Sequence, residues 1–189
     1  MAKVLDRKRI AILCTHGVEQ SELTDPRAAS EKAGAKTDLV SPASGKIQAM
    51  QHDEKGDKFD VDVELKSANP DDYDALVLPG GVANPDALRI IPEAVKFVRS
   101  FYDNRKPIAS ICHGPWMLVE ADIAQDHTLT SWPSLRTDIR NAGANWVDQE
   151  VVQDGQITTS RKPDDIPAFN REMIKSFSEN SQNNRHAEA

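Results

Sequence analysis

The sequence predicts an α/β fold with a mostly parallel sheet, and three observations predict it. Short, uncharged apolar runs recur along the chain. They alternate with longer amphipathic stretches. Glycine or proline punctuates most of the joins. A short apolar run rich in β-branched residues reads as a buried parallel strand, because helices cover both of its faces.

The elements follow in order. Residues 9–14 (RIAILC) read as a buried first strand. Residues 20–33 read as a helix despite Pro26, with Gly34 as its C-terminal cap. Residues 36–41 (KTDLVS) mix polar and apolar side chains and read as a second strand. The segment 44–65 carries Gly45, Gly56 and many charges. It reads as two short exposed strands, 46–51 and 59–64, around a loop. Residues 74–78 (DALVL) are another buried strand, closed by Pro79-Gly80-Gly81. Residues 92–104 read as a helix opened by Pro92 and Glu93, with Val95, Val98 and Tyr102 on one face beside Phe97 and Phe101. Residues 107–111 (PIASI) read as the central strand, and 116–121 as a helix with proline in its first turn. Residues 134–142 read as a helix capped by Ser134 and ended by Gly143. Short strands follow at 146–147, 150–153 and 157–159, the last two joined by an Asp154-Gly155 hairpin turn. A last helix covers 166–177, and the polar tail 179–189 is expected to fray. No internal repeat or linker interrupts the chain, so residues 1–189 read as one domain.

Composition narrows the function classes. Apolar residues make up 39% of the 189 and charged residues 28%, which is a globular composition. A net charge of −7 argues against a general nucleic-acid or membrane-surface binder. The opening MAKVLDRKRIAILC breaks its apolar residues with charges, so it does not read as a secretory leader, and the expected compartment is the cytoplasm. The five histidines are scattered and no Cys-x-x-Cys occurs, so no metal is expected. Pro-Gly-Gly lacks the third glycine of a dinucleotide fingerprint, and no other cofactor signal is present.

Sites in such folds lie beyond the carboxyl ends of the strands. Three strand ends here carry unusual residues: Cys14-Thr15-His16, Pro79-Gly80-Gly81 and Cys112-His113-Gly114. Cys112 stands where a strand turns sharply into a helix. Such an elbow pushes a side chain out of the sheet, and a helix N-terminus favours the thiolate, so an exposed, low-pKa thiol is expected there. His113 beside it reads as a general base or as the cation of an ion pair. The competing reading makes Cys112 a buried structural thiol and His113 a helix cap. A glycine pair after a strand can aim backbone N–H groups at an oxyanion, or can be a plain turn. Glu22 makes an i, i+3 pair with Glu19 at the start of the first helix. That pair reads as a favourable acidic helix start, or as a carboxyl that faces the sulfur and, when protonated, donates to it. Cys14 reads as a small buried hydrophobe.

Five ordered stretches, VEQSEL, DYDALVLPGG, PIASICHGPWML, DIRNAGANWVDQEVVQDG and TSRKPDDIPAF, resemble the PfpI family of intracellular cysteine peptidases and deglycases. The superfamily also contains the parkinsonism-associated deglycase. The resemblance runs from about residue 8 to 178. It implies a flavodoxin-like α/β sandwich of three layers, shared with class I glutamine amidotransferases, and homodimers, with hexamers built from dimers in some members. It implies Cys112 as nucleophile, His113 as its partner, Glu22 as the carboxyl bonded to the sulfur, and the N–H groups of Gly81 and His113 as the oxyanion hole. It further implies that Asp86, from the neighbouring subunit, orients the histidine; the family's best-known peptidases carry Glu there. Glu19 and His16 remain possible neighbours of that histidine within the chain.

Three functions fit to different degrees. The first is a thiolate attack on a carbonyl, as in peptide hydrolysis, deglycation of dicarbonyl-modified proteins or conversion of free dicarbonyls. The absence of an obvious substrate-binding insert favours small adducts over polypeptides. The second is a redox-responsive, chaperone-like stress protein with an oxidisable Cys112. The third, an amidotransferase glutaminase, needs a downstream His-x-Glu pair. His127 lacks it, and His186 has the spacing only inside the polar tail.

Overall fold

The computed structural model describes residues 3–187. Its elements run β1 (Arg9–Leu13), α1 (Gln20–Lys32), β2 (Lys36–Ser41), β3 (Lys46–Gln51), β4 (Glu54–Asp60), β5 (Val63–Glu64), β6 (Ala75–Leu78), α2 (Ala83–Arg89), α3 (Pro92–Asp103), β7 (Ile108–Ile111), α4 (Trp116–Glu120), β8 (Thr128–Leu129), α5 (Arg136–Asn141), β9 (Asn145–Trp146), β10 (Val151–Asp154), β11 (Ile157–Ser160) and α6 (Ile166–Ala187). Seven strands form the central sheet in the order β10-β11-β7-β6-β1-β2-β5. Every neighbouring pair is parallel except β10 with β11. This is the α/β, flavodoxin-like sandwich.

The two layers of core follow from the period of two in the strands. Ala11, Leu13, Leu76 and Leu78 face one way, against Leu88, Phe97, Val98, Phe101, Met117 and Leu118 of α2, α3 and α4. Ile10, Ile12, Ala75 and Val77 face the other, against Leu23 of α1 and Phe169, Met173 and Phe177 of α6. Phe101 and Phe169 are both fully buried, one in each layer. Burial of each such ring is worth about 2–3 kcal/mol.

Topology places the site. From β1 the chain moves to β2, and from β6 it moves the opposite way to β7. The loops that leave β1 and β6 therefore diverge, and a crevice opens between them at the carboxyl ends.

Three expectations are corrected and one helix is added. The strand expected over 59–64 is two: β4 pairs antiparallel with β3 in a separate hairpin, while β5 joins the sheet edge beside β2. Helix α2 occupies a stretch that the sequence patterns leave unassigned; its Pro85 falls in the first turn, where no N–H is required. Ser134 caps no helix, since α5 begins at Arg136 after a 3₁₀ turn over Pro133–Leu135. The last helix, expected to end at residue 177, runs on to Ala187; residues 188 and 189 lie outside the described residues.

Candidate active site

Cys112 follows β7 with φ +62°, a left-handed conformation for a residue with a side chain. That costs on the order of 1–2 kcal/mol. The surroundings hold it there: its N–H donates to the Ser160 carbonyl at 3.1 Å, and its carbonyl accepts from Trp132 N–H at 2.8 Å. The turn breaks the in–out alternation of β7, so that Ile111 and Cys112 border the same core layer. Cys112 is 7% exposed, at the floor of a cleft, and not at the surface as expected for a strand end.

Glu22, on α1, is fully buried. Its Oε2 accepts from Gly80 N–H at 2.8 Å. Its Oε1 has no nitrogen or oxygen partner, and the carboxyl hydrogen-bonds the Cys112 side chain. The Pro79-Gly80-Gly81 turn is built for this approach. A Cβ on Gly80 would stand 2.5 Å from Glu22 Oε2 and 2.7 Å from Cys112 Cβ, so only glycine fits. Gly81 lies at φ +76°, and its N–H and that of His113 both point at the sulfur. Asn84 of α2 fixes the turn. Its side-chain N–H groups donate to the Pro79 and Gly80 carbonyls at 3.0 Å each, and its oxygen accepts from Thr15 N–H at 2.7 Å.

The His113 ring folds back on its own neighbour, with Nδ1 3.2 Å from Cys112 Sγ. Its Nε2 faces Ser134 Oγ at 3.4 Å. Trp132 stacks on the imidazole at 5.9 Å and 23°, and Trp116 meets its edge at 5.2 Å. The other residues considered are bonded away from the imidazole. His16 Nδ1 accepts from Gln48 N–H, and Glu19 Oε2 accepts from His52 N–H. Asp86 is exposed on α2. The structure thus brings Cys112, His113, Glu22 and Gly81 together within one chain and leaves Asp86 facing outward.

Burial governs the protonation states. It pushes Glu22 up to about 8, against the pull of the Gly80 N–H, so the carboxyl holds its proton at neutral pH. Burial, then the facing Glu22 carboxyl, push the Cys112 thiol up; the N–H groups of Gly81 and His113 pull it down. Burial also lowers His113, which is therefore neutral. The low-pKa thiolate expected from a helix N-terminus is corrected. Helix α4 begins at Trp116, and its first N–H groups are spent on local carbonyls: Gly114 on Ile111, Trp116 on His113, Met117 on Gly114. The resting pair is a neutral thiol beside a neutral imidazole. Such an imidazole can take the proton as sulfur attacks.

A cleft of about 540 Å³ opens over the sulfur. Besides the residues already placed around Cys112, its walls carry Gly17, Glu19, His52, Asp53, Val82 and Ala83. His52 and Asp53 form the tip of the β3–β4 hairpin, which the sequence patterns assign to an exposed loop. Backbone bonds strap that hairpin across the loop after β1: Gly17 N–H to Gln48, and Met50 N–H to Val18. Sequence patterns also miss Asn84, Trp132 and Ser134. The aromatic and polar run Ser131-Trp132-Pro133-Ser134 offers a signal for the last two. Among the described residues no helix is long and apolar enough to cross a membrane, and no group of three His, Cys, Asp or Glu could hold a metal ion.

A buried cysteine on a strained strand-to-helix elbow, beside a histidine, a carboxyl and a glycine turn, marks the site of this α/β protein. The chain belongs to the DJ-1/PfpI family, whose model matches residues 8–176. It is 40% identical over 167 residues to a Bacillus subtilis protein named "Putative cysteine protease YraA", covering 88% of this chain and 96% of that one. It is 41% identical over 169 residues to "Protein/nucleic acid deglycase 2" of Escherichia coli, covering 89% and 96%. In three dimensions it resembles the crystal structure of Drosophila melanogaster DJ-1beta, with a TM-score of 0.82 at 25% identity, covering 94% and 91%.

Proposed function

We propose that this protein is a cysteine-dependent hydrolase that removes dicarbonyl adducts from amines and converts the free dicarbonyls, in the manner of a deglycase. The observation that carries the reading is the contact between Cys112 Sγ and the neutral His113 Nδ1 at 3.2 Å, beneath two N–H groups and beside a protonated Glu22. Sulfur bonds to the substrate carbonyl carbon, and its proton passes to Nδ1. The carbonyl π pair moves to oxygen, where the Gly81 and His113 N–H groups receive it. On an amine-borne hemiaminal the aldehyde carbon that sulfur attacks is uncovered first: the hydroxyl proton passes to nitrogen, the carbon–nitrogen bond breaks and the amine leaves. A hydrogen shift between the two adjacent carbons then yields a thioester, with no external redox partner. Water hydrolyses the thioester to a 2-hydroxy acid and frees the thiol. The name of the E. coli relative supports deglycation, and that of the B. subtilis relative supports the same nucleophile acting on a peptide bond. A cleft of about 540 Å³, walled by a hairpin tip, suits a side-chain adduct better than an extended polypeptide.

The test is steady-state consumption of methylglyoxal, and release of free lysine side chains from methylglyoxal-treated peptide. Wild type should turn over and Cys112→Ser should not. Equal rates for the two would overturn the reading. A second reading, a redox-responsive protein working in the cytoplasm, draws on the same pocket. The protonated Glu22 and the two N–H groups would also bond the oxygens of a sulfinate on Cys112.

A further inference from the structure

Two N–H groups of the site belong to a pair of glycines, Gly80 and Gly81, and glycine lets the plane of its peptide turn freely. A group outside the pair must hold it. A trans peptide points its carbonyl and its N–H in opposite directions. The Pro79 carbonyl shares a peptide with the Gly80 N–H, and the Gly80 carbonyl shares one with the Gly81 N–H. One side chain takes both carbonyls: the Asn84 amide donates to each at 3.0 Å. On the opposite sides of the same two peptides, Gly80 N–H reaches Glu22 Oε2 at 2.8 Å and Gly81 N–H points at Cys112 Sγ. Glu19 N–H adds a longer bond of 3.4 Å to the Gly80 carbonyl. Asn84 is itself fixed: it is fully buried, and its Oδ1 accepts from Thr15 N–H at 2.7 Å. Its amide therefore ties together the two loops, after β1 and after β6, that part at the crevice. Gly17 makes room for it, since a Cβ there would stand 2.6 Å from Ala83 Cβ and 3.4 Å from Asn84 N.

We infer that Asn84 is a positioning residue of the reaction: by holding the Pro79 and Gly80 carbonyls, it aims one N–H at the developing oxyanion and the other at Glu22. This role rests on the function proposed above. With Asn84 gone, the Gly80–Gly81 peptide is free to turn its carbonyl toward the sulfur, where an oxygen repels the developing charge instead of binding it.

The experiment compares wild type with Asn84→Leu, Asn84→Asp and Phe101→Leu. Leucine has a similar shape and makes none of the three bonds. Aspartate keeps the acceptor for Thr15 N–H and, held protonated by burial, one of the two donations. Phe101→Leu lies at the end of α3 that leads into β7, away from the cleft, and reports lost stability alone. In methylglyoxal turnover per folded molecule, Asn84→Leu should lose about 10²-fold in kcat with KM within about twofold. Asn84→Asp should lose about tenfold, and Phe101→Leu should stay near wild type. A rise in KM at unchanged kcat, or a loss in Phe101→Leu as large as in Asn84→Leu, would overturn the role. Should Asn84→Leu fail to fold, Asn84→Asp decides by the same criteria. A second readout needs no turnover. Acetaldehyde has a single carbonyl, and it adds to Cys112 as a hemithioacetal: sulfur bonds to carbon and the thiol proton ends on oxygen. Its hold on Cys112 is read by peptide mass as protection from iodoacetamide. The concentration for half protection should rise about tenfold in Asn84→Leu and not in Phe101→Leu. Should wild type leave methylglyoxal unconsumed, the proposed function fails, and the acetaldehyde measurement alone decides the role of Asn84; equal protection in wild type and both Asn84 variants would reject it.

Discussion

Cys14 and Cys112 invite comparison because the fold treats them almost alike. They follow β1 and β7, the two strands that flank β6. Each continues a parallel ladder through its N–H, Cys14 to Val40 and Cys112 to Ser160. Both are buried, at 0% and 7% exposure, and burial pushes both thiols up. The difference lies in what is aimed at the sulfur. Cys14 sits among Ile10, Ile12, Val18 and Leu23 in an apolar layer. Cys112 turns at φ +62° into a set of donors and acceptors: Glu22, the Gly81 and His113 N–H groups, and the His113 ring. What sets Cys112 apart is therefore its company and the cleft above it; burial pushes both thiols the same way.

The sharpest way to break the comparison is to remove each sulfur in turn. Cys112→Ser should cost about 10³-fold or more in dicarbonyl turnover, as expected for loss of a nucleophile. Cys14→Ala should leave turnover near wild type and cost about 1 kcal/mol of stability from a small cavity. A Cys14 variant as inactive as Cys112→Ser would mean that the layer beneath the site matters as much as its company.

Glu22 tests the company directly. Its carboxyl ionises near 8 in the folded protein and near 4.5 otherwise, so the folded state favours the proton. Its contribution to stability is complete below pH 4.5, is lost as pH rises to 8, and changes no further above that. Over that window the wild type should lose on the order of a few kcal/mol that Glu22→Gln does not. Thermal melts of the two should nearly coincide at about pH 5, with the glutamine variant increasingly ahead toward about pH 8. A difference independent of pH would show that the carboxyl is ionised throughout.

Mild peroxide should separate the thiols by about tenfold or more, because Cys112 lines an open cleft and Cys14 does not. Peptide mapping reads the ratio, and equal oxidation would erase the distinction. The smallest effect concerns a second copy of the chain. We propose that Asp86, exposed on α2 between exposed Val82 and Ile90, reaches His113 of a partner subunit in a homodimer. Asp86→Ala and Cys112→Ser should each be impaired alone and should regain part of the activity when mixed in one oligomer. No recovery in hybrids verified by mass would leave Ser134, already 3.4 Å from Nε2, as the group that orients the ring.

The sequence by itself determined the layered fold and the three strand ends. Both are local matters: apolar periodicity fixes which faces are buried, and Pro-Gly-Gly and Cys-His-Gly can only be turns. The family resemblance joined Glu22, Gly81, Cys112 and His113 into one set across about ninety residues of chain, through matching stretches in the family's order. Tertiary structure decided the rest. It buried Cys112, used up the N–H groups of α4 on local carbonyls, and so reversed the expected shift of the thiol. It brought Ser134 and Trp132 to the imidazole, and the charged 44–65 segment over the mouth of the cleft. No local pattern encodes these, because protonation and cleft shape depend on desolvation and on neighbours that are close in space and distant in sequence.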